Sequence, residues 1–276
     1  MTKDNTQKSS GKKDLTDKVV WITGTSSGLG KALAAECAAL GAQVILTARR
    51  LDELEKVRLS LVSPDRHLSI TADITDESQV RHAYETVLKE KGRIDWLINN
   101  AGLSQRALIA ETSMQTERAI MEVDYFSQVF LTKTVLPTFL KQKSGRIAFV
   151  SSVAGLLGTQ YRASYSAAKG AIHLWANSLR AEVANEGIGV SVIFPGFVKT
   201  NVSINALNGE GKPQGFDNEA TANGLEADDF ARQTVQALLK GNEYIVIGGG
   251  KEKLGVLVSR LSPSLLYKMI RKMKVK

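Results

Sequence analysis

The chain has 276 residues, of which 43% are hydrophobic and 23% are charged. This composition is typical of an ordinary globular protein with room for one large core. The formal net charge is +8, but the first 18 residues carry +2 and residues 251–276 carry +7, which leaves −1 for the body. Because the positive charge belongs to the two ends, the sequence argues against a nucleic-acid-binding surface on the body.

The single cysteine, Cys37, lies in an alanine-rich helical pattern, so we expect no internal disulfide and a reducing compartment. The N-terminus lacks the apolar segment of a secretory signal, and no apolar run approaches the roughly 18–20 residues of a membrane span. His67, His82 and His173 are scattered without metal-ligand spacing, so no metal site is predicted. These features predict a cytoplasmic protein.

The first predicted element is a short apolar strand at residues 18–23, preceded by a polar, lysine- and serine-rich tail at residues 1–17 that we expect to be disordered. A glycine-rich stretch at residues 24–30 follows the strand and leads into a helical pattern at residues 31–40. This order directs the amide groups of the helix N-terminus towards a phosphate. The stretch therefore favours a nucleotide-binding turn.

The second predicted strand, at residues 43–47, ends in Ala48, Arg49 and Arg50. In a dinucleotide-binding fold, the end of this strand meets the adenosine ribose. An acidic residue there would bind the 2′-hydroxyl of NAD, whereas two arginines suit the 2′-phosphate of NADP. The alternative is that Arg49 and Arg50 are surface residues at the start of the next helix; the sequence favours NADP.

Strands and helices continue to alternate along the rest of the chain. Further strands are predicted at residues 67–71, 95–99, 145–150, 190–194 and 244–247, and helices at residues 51–61, 77–90, 115–140 and 228–239. This alternation predicts an α/β fold, a doubly wound parallel sheet of about seven strands with helices on both faces. Such sheets bind ligands at the carboxyl ends of their strands.

Tyr165 and Lys169 are four residues apart, so in a helix both side chains lie on one face, one turn apart. A tyrosine with an ordinary pKa of about 10 is a poor acid or base at neutral pH. A neighbouring ammonium favours the phenolate and so lowers that pKa towards the range of acid–base catalysis. Ser152 follows a strand-like run and could meet a substrate oxygen beside Tyr165. The alternative is a helix that carries an exposed tyrosine and a solvated lysine without a catalytic role, since this would give the same spacing.

Together these motifs resemble those of the short-chain dehydrogenase/reductase family over about residues 18–250. The matching motifs, in family order, are Thr23-Gly24-x-x-x-Gly28-x-Gly30, Asp73, Asn99-Asn100-Ala101-Gly102, Ser152, Tyr165-x-x-x-Lys169 and Pro195-Gly196. Each is common alone, but the set at these spacings is specific. The resemblance implies a single-domain Rossmann fold and an NADP(H)-dependent oxidoreductase that interconverts a carbonyl and a secondary alcohol.

The resemblance also implies roles for individual residues. Tyr165 would be the catalytic acid and base, Ser152 would hold the substrate oxygen, and Lys169 would bind the nicotinamide ribose and lower the pKa of Tyr165. The residues that the resemblance assigns to the cofactor are Gly24, Ser26, Ser27, Gly28, Leu29, Gly30, Arg49, Arg50, Asp73, Ile74, Asn100, Ala101, Gly102, Tyr165, Lys169, Pro195, Gly196 and Thr200.

Asp124 departs from the family pattern, which usually has an asparagine here in a serine–asparagine–tyrosine–lysine proton relay. The aspartate keeps the backbone carbonyl and loses the amide donors, and its carboxylate could compete with the phenolate for the Lys169 ammonium. We count Asp124 among the catalytic residues and expect an active enzyme with a slower or pH-shifted reaction. The alternative is a catalytically weak nucleotide-binding or redox-sensing protein of the same fold.

Substrate specificity, by the resemblance, belongs to residues 201–225, whose glycines could form a mobile lid. Thr47-Ala48-Arg49 and the extended C-terminus resemble the branch near the hydroxysteroid dehydrogenases. A lipidic or bulky carbonyl or alcohol is therefore the first expectation for the substrate.

Residues 251–276 form a basic amphipathic extension after the predicted Rossmann-fold domain of residues 18–250. Ser262-Pro263 is a good helix start, and the apolar residues that then recur at helical spacing are Leu265, Leu266, Met269, Ile270 and Met273. A basic helix of this kind, within residues 262–276, could lie on an anionic membrane surface. Alternatively, its apolar stripe packs on the body or on another subunit, since family members are commonly homodimers or homotetramers.

Overall fold

A parallel β-sheet forms the centre of the molecule. Its seven strands are β1 (Val19–Thr23), β2 (Gln43–Ala48), β3 (Leu68–Thr71), β4 (Trp96–Asn99), β5 (Gly145–Val150), β6 (Ile188–Pro195) and β7 (Tyr244–Ile247). The order across the sheet is β3-β2-β1-β4-β5-β6-β7. The computed structural model describes residues 14–216 and 219–272. Since the strand order reverses between β1 and β4, the sheet has its ligand-binding switch point there.

Helices cover both faces of this sheet. They are α1 (Gly28–Ala39), α2 (Leu51–Ser60), α3 (Glu77–Lys91), α4 (Met114–Met121), α5 (Ser127–Gln142), α6 (Ala163–Glu182), α7 (Glu219–Ala222), α8 (Ala227–Leu239), α9 (Gly250–Leu261) and α10 (Pro263–Lys272). One apolar core lies under α1, α2 and α8, and a second lies under α3, α5 and α6. The predicted doubly wound α/β sheet with helices on both faces is confirmed.

The first helix begins at Gly28, three residues before the predicted start. Glycine is a poor helix former, so the sequence pattern places the start too late. The structure needs glycine here, because a Cβ atom on Gly30 would lie 2.2 Å from the backbone oxygen of Gly24. The missing side chain allows α1 to pack directly on the glycine-rich turn.

The prediction of one continuous helix at residues 115–140 is wrong. It consists of α4, a π-helical segment at Glu122–Phe126, and α5. A π-helical turn inserts one residue per turn and rotates the side chains that follow, and such turns are frequent at functional sites. The segment contains Asp124, whose side chain is fully buried.

At the N-terminus, residues 1–13 of the predicted tail lie outside the described residues. The last four residues of that tail, 14–17, belong to the folded body. Leu15 is only 1% exposed in the core under α1, and its amide donates to the Leu40 carbonyl at 2.9 Å. The predicted boundary at Lys18 therefore falls after the start of the fold.

Residues beyond 250 form two helices, where the sequence predicted one. Val256 of α9 and Leu266 of α10 are buried against the core under α6, so these helices continue the folded domain. The predicted boundary at residue 250 therefore does not match the packing. Residues 273–276 lie outside the described residues. None of the helices in the described part of the chain has the length and apolar character to cross a bilayer.

Candidate active site

A cleft of about 640 Å³ lies at the carboxyl ends of the strands, across the switch point between β1 and β4. It is lined by every predicted cofactor residue and by three of the four predicted catalytic residues. These residues are Gly24, Ser26, Ser27, Gly28, Leu29, Gly30, Arg49, Arg50, Asp73, Ile74, Asn100, Ala101, Gly102, Ser152, Tyr165, Lys169, Pro195, Gly196 and Thr200. The fold thus brings together residues that are up to 176 positions apart, from Gly24 to Thr200.

The turn between β1 and α1 fits a nucleotide pyrophosphate. Gly24 and Gly28 adopt φ values of +72° and +56°, in the left-handed region that favours glycine. Ser27, at the N-cap of α1, makes no side-chain capping bond, and the first turn of α1 contains no acidic residue. The amide groups of this helix end therefore remain available to an anion in the cleft.

Two arginines lie directly after β2, at the end of the cleft that the sequence predicts to hold the adenosine; we call it the adenosine end. Arg49 and Arg50 are both exposed and line the cleft, and the Arg50 guanidinium lies 3.5 Å from the Ser26 hydroxyl. Asp73, after β3, accepts hydrogen bonds from the backbone amide and the hydroxyl of Thr75 through one carboxylate oxygen. This end of the cleft therefore offers two cations on flexible stems and one fixed carboxylate.

Thr23 and Asn100 tie the ends of β1 and β4 together beneath the cleft. The Thr23 hydroxyl oxygen accepts from the amides of Asn100 and Ala101, each at 3.1 Å. The Asn100 side chain in turn donates to the Thr23 carbonyl at 2.8 Å. Gln128 of α5 adds a bond to the Ala101 carbonyl at 3.2 Å. The sequence motifs drew attention to Thr23 and Asn100, but nothing in the local pattern marks Gln128.

Tyr165 and Lys169 lie in α6 and face the cleft together. The Lys169 ammonium is 5.8 Å from the centre of the Tyr165 ring, and the side chain of Lys169 is only 4% exposed. The Lys169 ammonium donates to the carbonyl of Val150 at 3.0 Å, which fixes it against the end of β5. The Ser151 hydroxyl donates to the Lys169 carbonyl at 2.8 Å and so locks the helix to the same strand.

Ser152 lies two residues after the end of β5 and lines the same cleft. Its hydroxyl oxygen accepts from the Ala154 amide at 3.1 Å, as the N-cap of a short 3₁₀ turn. The hydroxyl also lies 3.5 Å from the Pro195 carbonyl. The capping bond uses a lone pair of the oxygen, and the proton makes only the long contact with the Pro195 carbonyl, which a substrate oxygen could replace.

Asp124 does not line the cleft, in contrast to the other predicted catalytic residues. It lies behind Gly102, where one carboxylate oxygen accepts from the Leu103 amide at 2.8 Å and lies 3.6 Å from the Lys169 ammonium. Burial raises the pKa of Asp124 to about 6, although the Lys169 charge and the Leu103 amide oppose this shift. Asp124 therefore does not touch a ligand in the cleft, and any contribution to catalysis must pass through Lys169.

Sequence reasoning missed two arginines at the Tyr165 end of the cleft, Arg106 and Arg162. Burial, followed by the positive charge of Arg162, lowers the pKa of Arg106 to about 10. Burial also lowers the pKa of Arg162, whose guanidinium carbon lies 5.3 Å from the centre of the Phe197 ring. Both side chains come from segments without a recognisable motif, so only the folded arrangement shows that they meet.

Residues 201–225 pass along the open side of the cleft. Val202, Asn205 and Leu207 line it, and the backbone of Leu207 pairs with Gln105 and Arg106 from the β4 side. Residues 217 and 218 of the predicted lid lie outside the described residues. The mobility of this segment stays a prediction.

Comparison with known proteins agrees with this arrangement. Residues 18–211 match the family model for short chain dehydrogenases. A Drosophila melanogaster protein, dehydrogenase/reductase SDR family protein 7-like, is 40% identical over 267 residues, which cover 95% of this chain and 82% of that relative. Dehydrogenase/reductase SDR family member 7B of Danio rerio is 36% identical over 264 residues, which cover 93% and 85% of the two chains.

A solved structure gives the same result for the fold. The Burkholderia phymatum short chain dehydrogenase/reductase, crystallised in complex with NAD, matches with a TM-score of 0.81 and 24% identity, covering 95% of this chain and 98% of that one. Identity at this level shows the fold alone.

The sheet, its switch-point cleft and these relatives define an oxidoreductase that uses a nicotinamide dinucleotide. The chain belongs to the short-chain dehydrogenase/reductase family. Its general activity is therefore the interconversion of carbonyl and alcohol groups.

The Asp124→Asn variant should lose an inflection near pH 6 in the pH profile of kcat/KM. Above about pH 6 the Asp124 carboxylate is ionised and offsets the Lys169 charge, whereas below it the neutral carboxyl leaves the full charge of Lys169 facing Tyr165. Asparagine is neutral throughout, so we expect faster alcohol oxidation than in the wild type at pH 7–8, by about threefold to tenfold for the removal of one buried charge.

Steady-state kinetics between about pH 5 and about pH 9 would measure both effects. Glu122→Gln is the matched control, because Glu122 lies in the same π-helical segment but is exposed. Retention of the inflection in Asp124→Asn would show that Asp124 does not set the charge around Lys169.

Proposed function

We propose that the protein is an NADP(H)-dependent oxidoreductase that interconverts a carbonyl compound and a secondary alcohol, with Tyr165 as the acid and base. The observation that carries this proposal is the Lys169 ammonium 5.8 Å from the Tyr165 ring, in a cleft that Ser152 also lines. A nicotinamide bound there supplies the hydride chemistry, and the protein supplies orientation and the proton.

In the reducing direction, Tyr165 donates its phenolic proton to the carbonyl oxygen of the substrate. The Ser152 hydroxyl donates a hydrogen bond to the same oxygen and stabilises the negative charge that develops on it. The Lys169 ammonium, held by the Val150 carbonyl, stabilises the phenolate that remains on Tyr165. In the oxidising direction, the phenolate accepts the proton of the alcohol.

The NADP preference rests on Arg49 and Arg50. Both follow β2, where the ribose of a bound dinucleotide meets the sheet, and both are exposed and free to move towards a phosphate. Guanidinium groups bind phosphate through paired, charge-assisted hydrogen bonds. The other cofactor residues, from Gly24 to Thr200, would hold the two phosphates, the riboses and the nicotinamide.

We also propose that α9 and α10 contact an anionic membrane surface. Their exposed apolar side chains are Leu254, Leu257, Leu261, Leu265, Tyr267 and Met269, with Leu261 as much as 75% exposed. The basic residues of the same helices are Lys251, Lys253, Arg260, Lys268, Arg271 and Lys272, against one acidic residue, Glu252. Exposed apolar side chains together with basic side chains on the same two helices suit anionic lipid headgroups over an acyl layer.

The position of α9 connects this surface with the cleft. Glu252, in the first turn of α9, lies close to Gly196 at the end of β6, since a Cβ atom on Gly196 would be 3.0 Å from its side chain. A membrane-bound α9 would therefore bring the cleft near lipid, which supports a lipidic or bulky ketone as substrate. A homodimer or homotetramer stays a prediction, which light scattering of the purified protein would test.

Tyr165→Phe should lower kcat by roughly a hundredfold to ten-thousandfold while NADPH binding is retained, because it removes the transferred proton and little else. NADPH binding is measured by fluorescence titration, and turnover by NADPH oxidation across a panel of aldehydes and ketones. Tyr161→Phe, four residues away and outside the cleft lining, should keep its turnover. NADPH binding without turnover of any carbonyl by the wild type would favour the catalytically weak binding protein.

Replacing Arg49 and Arg50 with alanine should raise the Kd for NADPH by about tenfold to a hundredfold and leave the Kd for NADH nearly unchanged. The lost charge-assisted bonds are worth about 1.5–3 kcal/mol, and only NADPH carries the phosphate that forms them. Fluorescence titration with both nucleotides measures the ratio. Arg118→Ala is the control, since Arg118 is exposed but lies outside the cleft lining. Equal weakening of both nucleotides would contradict NADP selection by this pair.

The full-length protein should sediment with vesicles that contain phosphatidylserine, and less with vesicles of phosphatidylcholine alone. Added salt should weaken this binding, because it screens the basic side chains. Leu257→Asp combined with Leu261→Asp should lower the partition coefficient by about tenfold or more, since charged side chains resist burial in the acyl layer.

The matched control for vesicle binding is Leu59→Asp combined with Val62→Asp. These two residues are also exposed and apolar, but they lie at the end of α2 and beyond it. Equal loss in both double variants, or no preference for phosphatidylserine, would show that α9 and α10 do not form a membrane-binding surface.

A further inference from the structure

The Tyr165 end of the cleft contains two guanidinium groups from separate parts of the chain. Arg106 lies on the segment after β4, and Arg162 is the N-cap residue of α6, three positions before Tyr165. The two arginines are close enough for the Arg162 charge to lower the pKa of Arg106. Tyr165 opposes this by raising the pKa of both arginines, so it also lies near each of them. The acid–base residue therefore lies beside a cluster of positive charge.

Arg162 has no ionic partner among the described residues. Its guanidinium stacks over the Phe197 ring, and its buried Nε atom has no hydrogen-bond partner. The first turn of α6 also contains no acidic residue. A buried guanidinium nitrogen without a hydrogen bond is unfavourable, because it has lost water and gained no acceptor. A ligand with acceptor oxygens would restore the missing bonds.

No carboxylate lies beside the Arg162 guanidinium among the described residues that line the cleft near Tyr165. Asp73 lines the cleft at the adenosine end, where one of its carboxylate oxygens accepts two hydrogen bonds from Thr75. Asp124 lies behind Gly102, where it faces Lys169. The positive charge of Arg162 therefore faces this end of the cleft, whose other walls include the apolar side chains of Val123 and Leu207.

The geometry points to a substrate that carries an anionic group, a carboxylate or a phosphate, on the same molecule as the carbonyl. Arg162 binds that group through charge-assisted hydrogen bonds, for which its buried Nε atom has no other acceptor among the described residues. The apolar walls contact the hydrocarbon part of the substrate. This inference rests on the proposed carbonyl reductase function of the same cleft, and it names the class of carbonyl compound.

Three matched ketones test it: benzylacetone, its para-carboxylate derivative and its para-phosphate ester. In the holoenzyme with NADPH, we expect kcat/KM for at least one anionic ketone to exceed that for benzylacetone by tenfold or more. Arg162→Gln should lower the ratio of anionic to neutral kcat/KM by about tenfold to a hundredfold, as for the loss of a hydrogen bond to a charged group. Arg162→Lys, which keeps the charge without the planar fork, should give an intermediate ratio.

The control variant is Arg118→Gln, an exposed arginine outside the cleft, which should leave the ratio unchanged. Calorimetric titration of the three ketones into the enzyme–NADP⁺ complex gives a second readout that needs no turnover. Tighter binding of the carboxylate or of the phosphate identifies which anion Arg162 recognises.

Equal affinity for all three ketones, binding of none of them, or an unchanged ratio in Arg162→Gln would overturn the anion site. The proposed function is tested separately, since it fails if NADPH does not bind or if turnover of benzylacetone survives Tyr165→Phe. NADPH affinity also verifies that each arginine variant is folded.

Discussion

The buried ammonium of Lys169 is the interaction on which the geometry of the cleft depends. An ammonium without partners in a protein interior costs several kcal/mol, so the fold must supply acceptors around it. The Val150 carbonyl comes from β5, the Asp124 carboxylate from the π-helical segment, and the Tyr165 ring from α6 itself. Three elements distant in sequence are thus held in fixed relation by one charge.

The close packing around this charge explains why Gly102 carries no side chain. A Cβ atom there would lie 2.7 Å from an Asp124 carboxylate oxygen and 3.0 Å from the Lys169 ammonium. The π-helical turn has a related effect, because it turns Asp124 inward to meet the Leu103 amide. Aspartate in place of asparagine therefore changes the charge around Lys169 rather than its position. With a pKa of about 6, Asp124 is mostly ionised at neutral pH and offsets part of the ammonium's field at Tyr165.

The sequence predicted those parts of the molecule that are local or periodic. Strand and helix alternation predicted the seven-stranded sheet, and the four-residue spacing of Tyr165 and Lys169 predicted their shared helix face. The π-helical segment was not predicted, because the helical pattern of residues 115–140 does not distinguish a π-helical turn from a continuous α-helix. The packing of Leu15 was also missed, since polar neighbours hide a single buried leucine in a charged segment. The burial of Leu266 agrees with one of the two alternatives for the C-terminal helix, the one in which its apolar stripe packs on the body. Arg162 has no motif, and its place in the cleft follows from the position of α6.

Both proposed anion contacts use guanidinium groups, one at each end of the cleft, and the two ends differ in the solvation of those groups. Arg49 and Arg50 are exposed, so a phosphate that binds them displaces water from well-hydrated cations and gains modestly. Arg162 has already lost water around its Nε atom, so an anion that reaches it gains a hydrogen bond at little further desolvation cost. The exposed pair therefore suits choice between two cofactors that share every other contact. Arg162 is only partly exposed and suits stricter selection, because a neutral substrate would leave its buried Nε atom without an acceptor beside the reacting carbonyl.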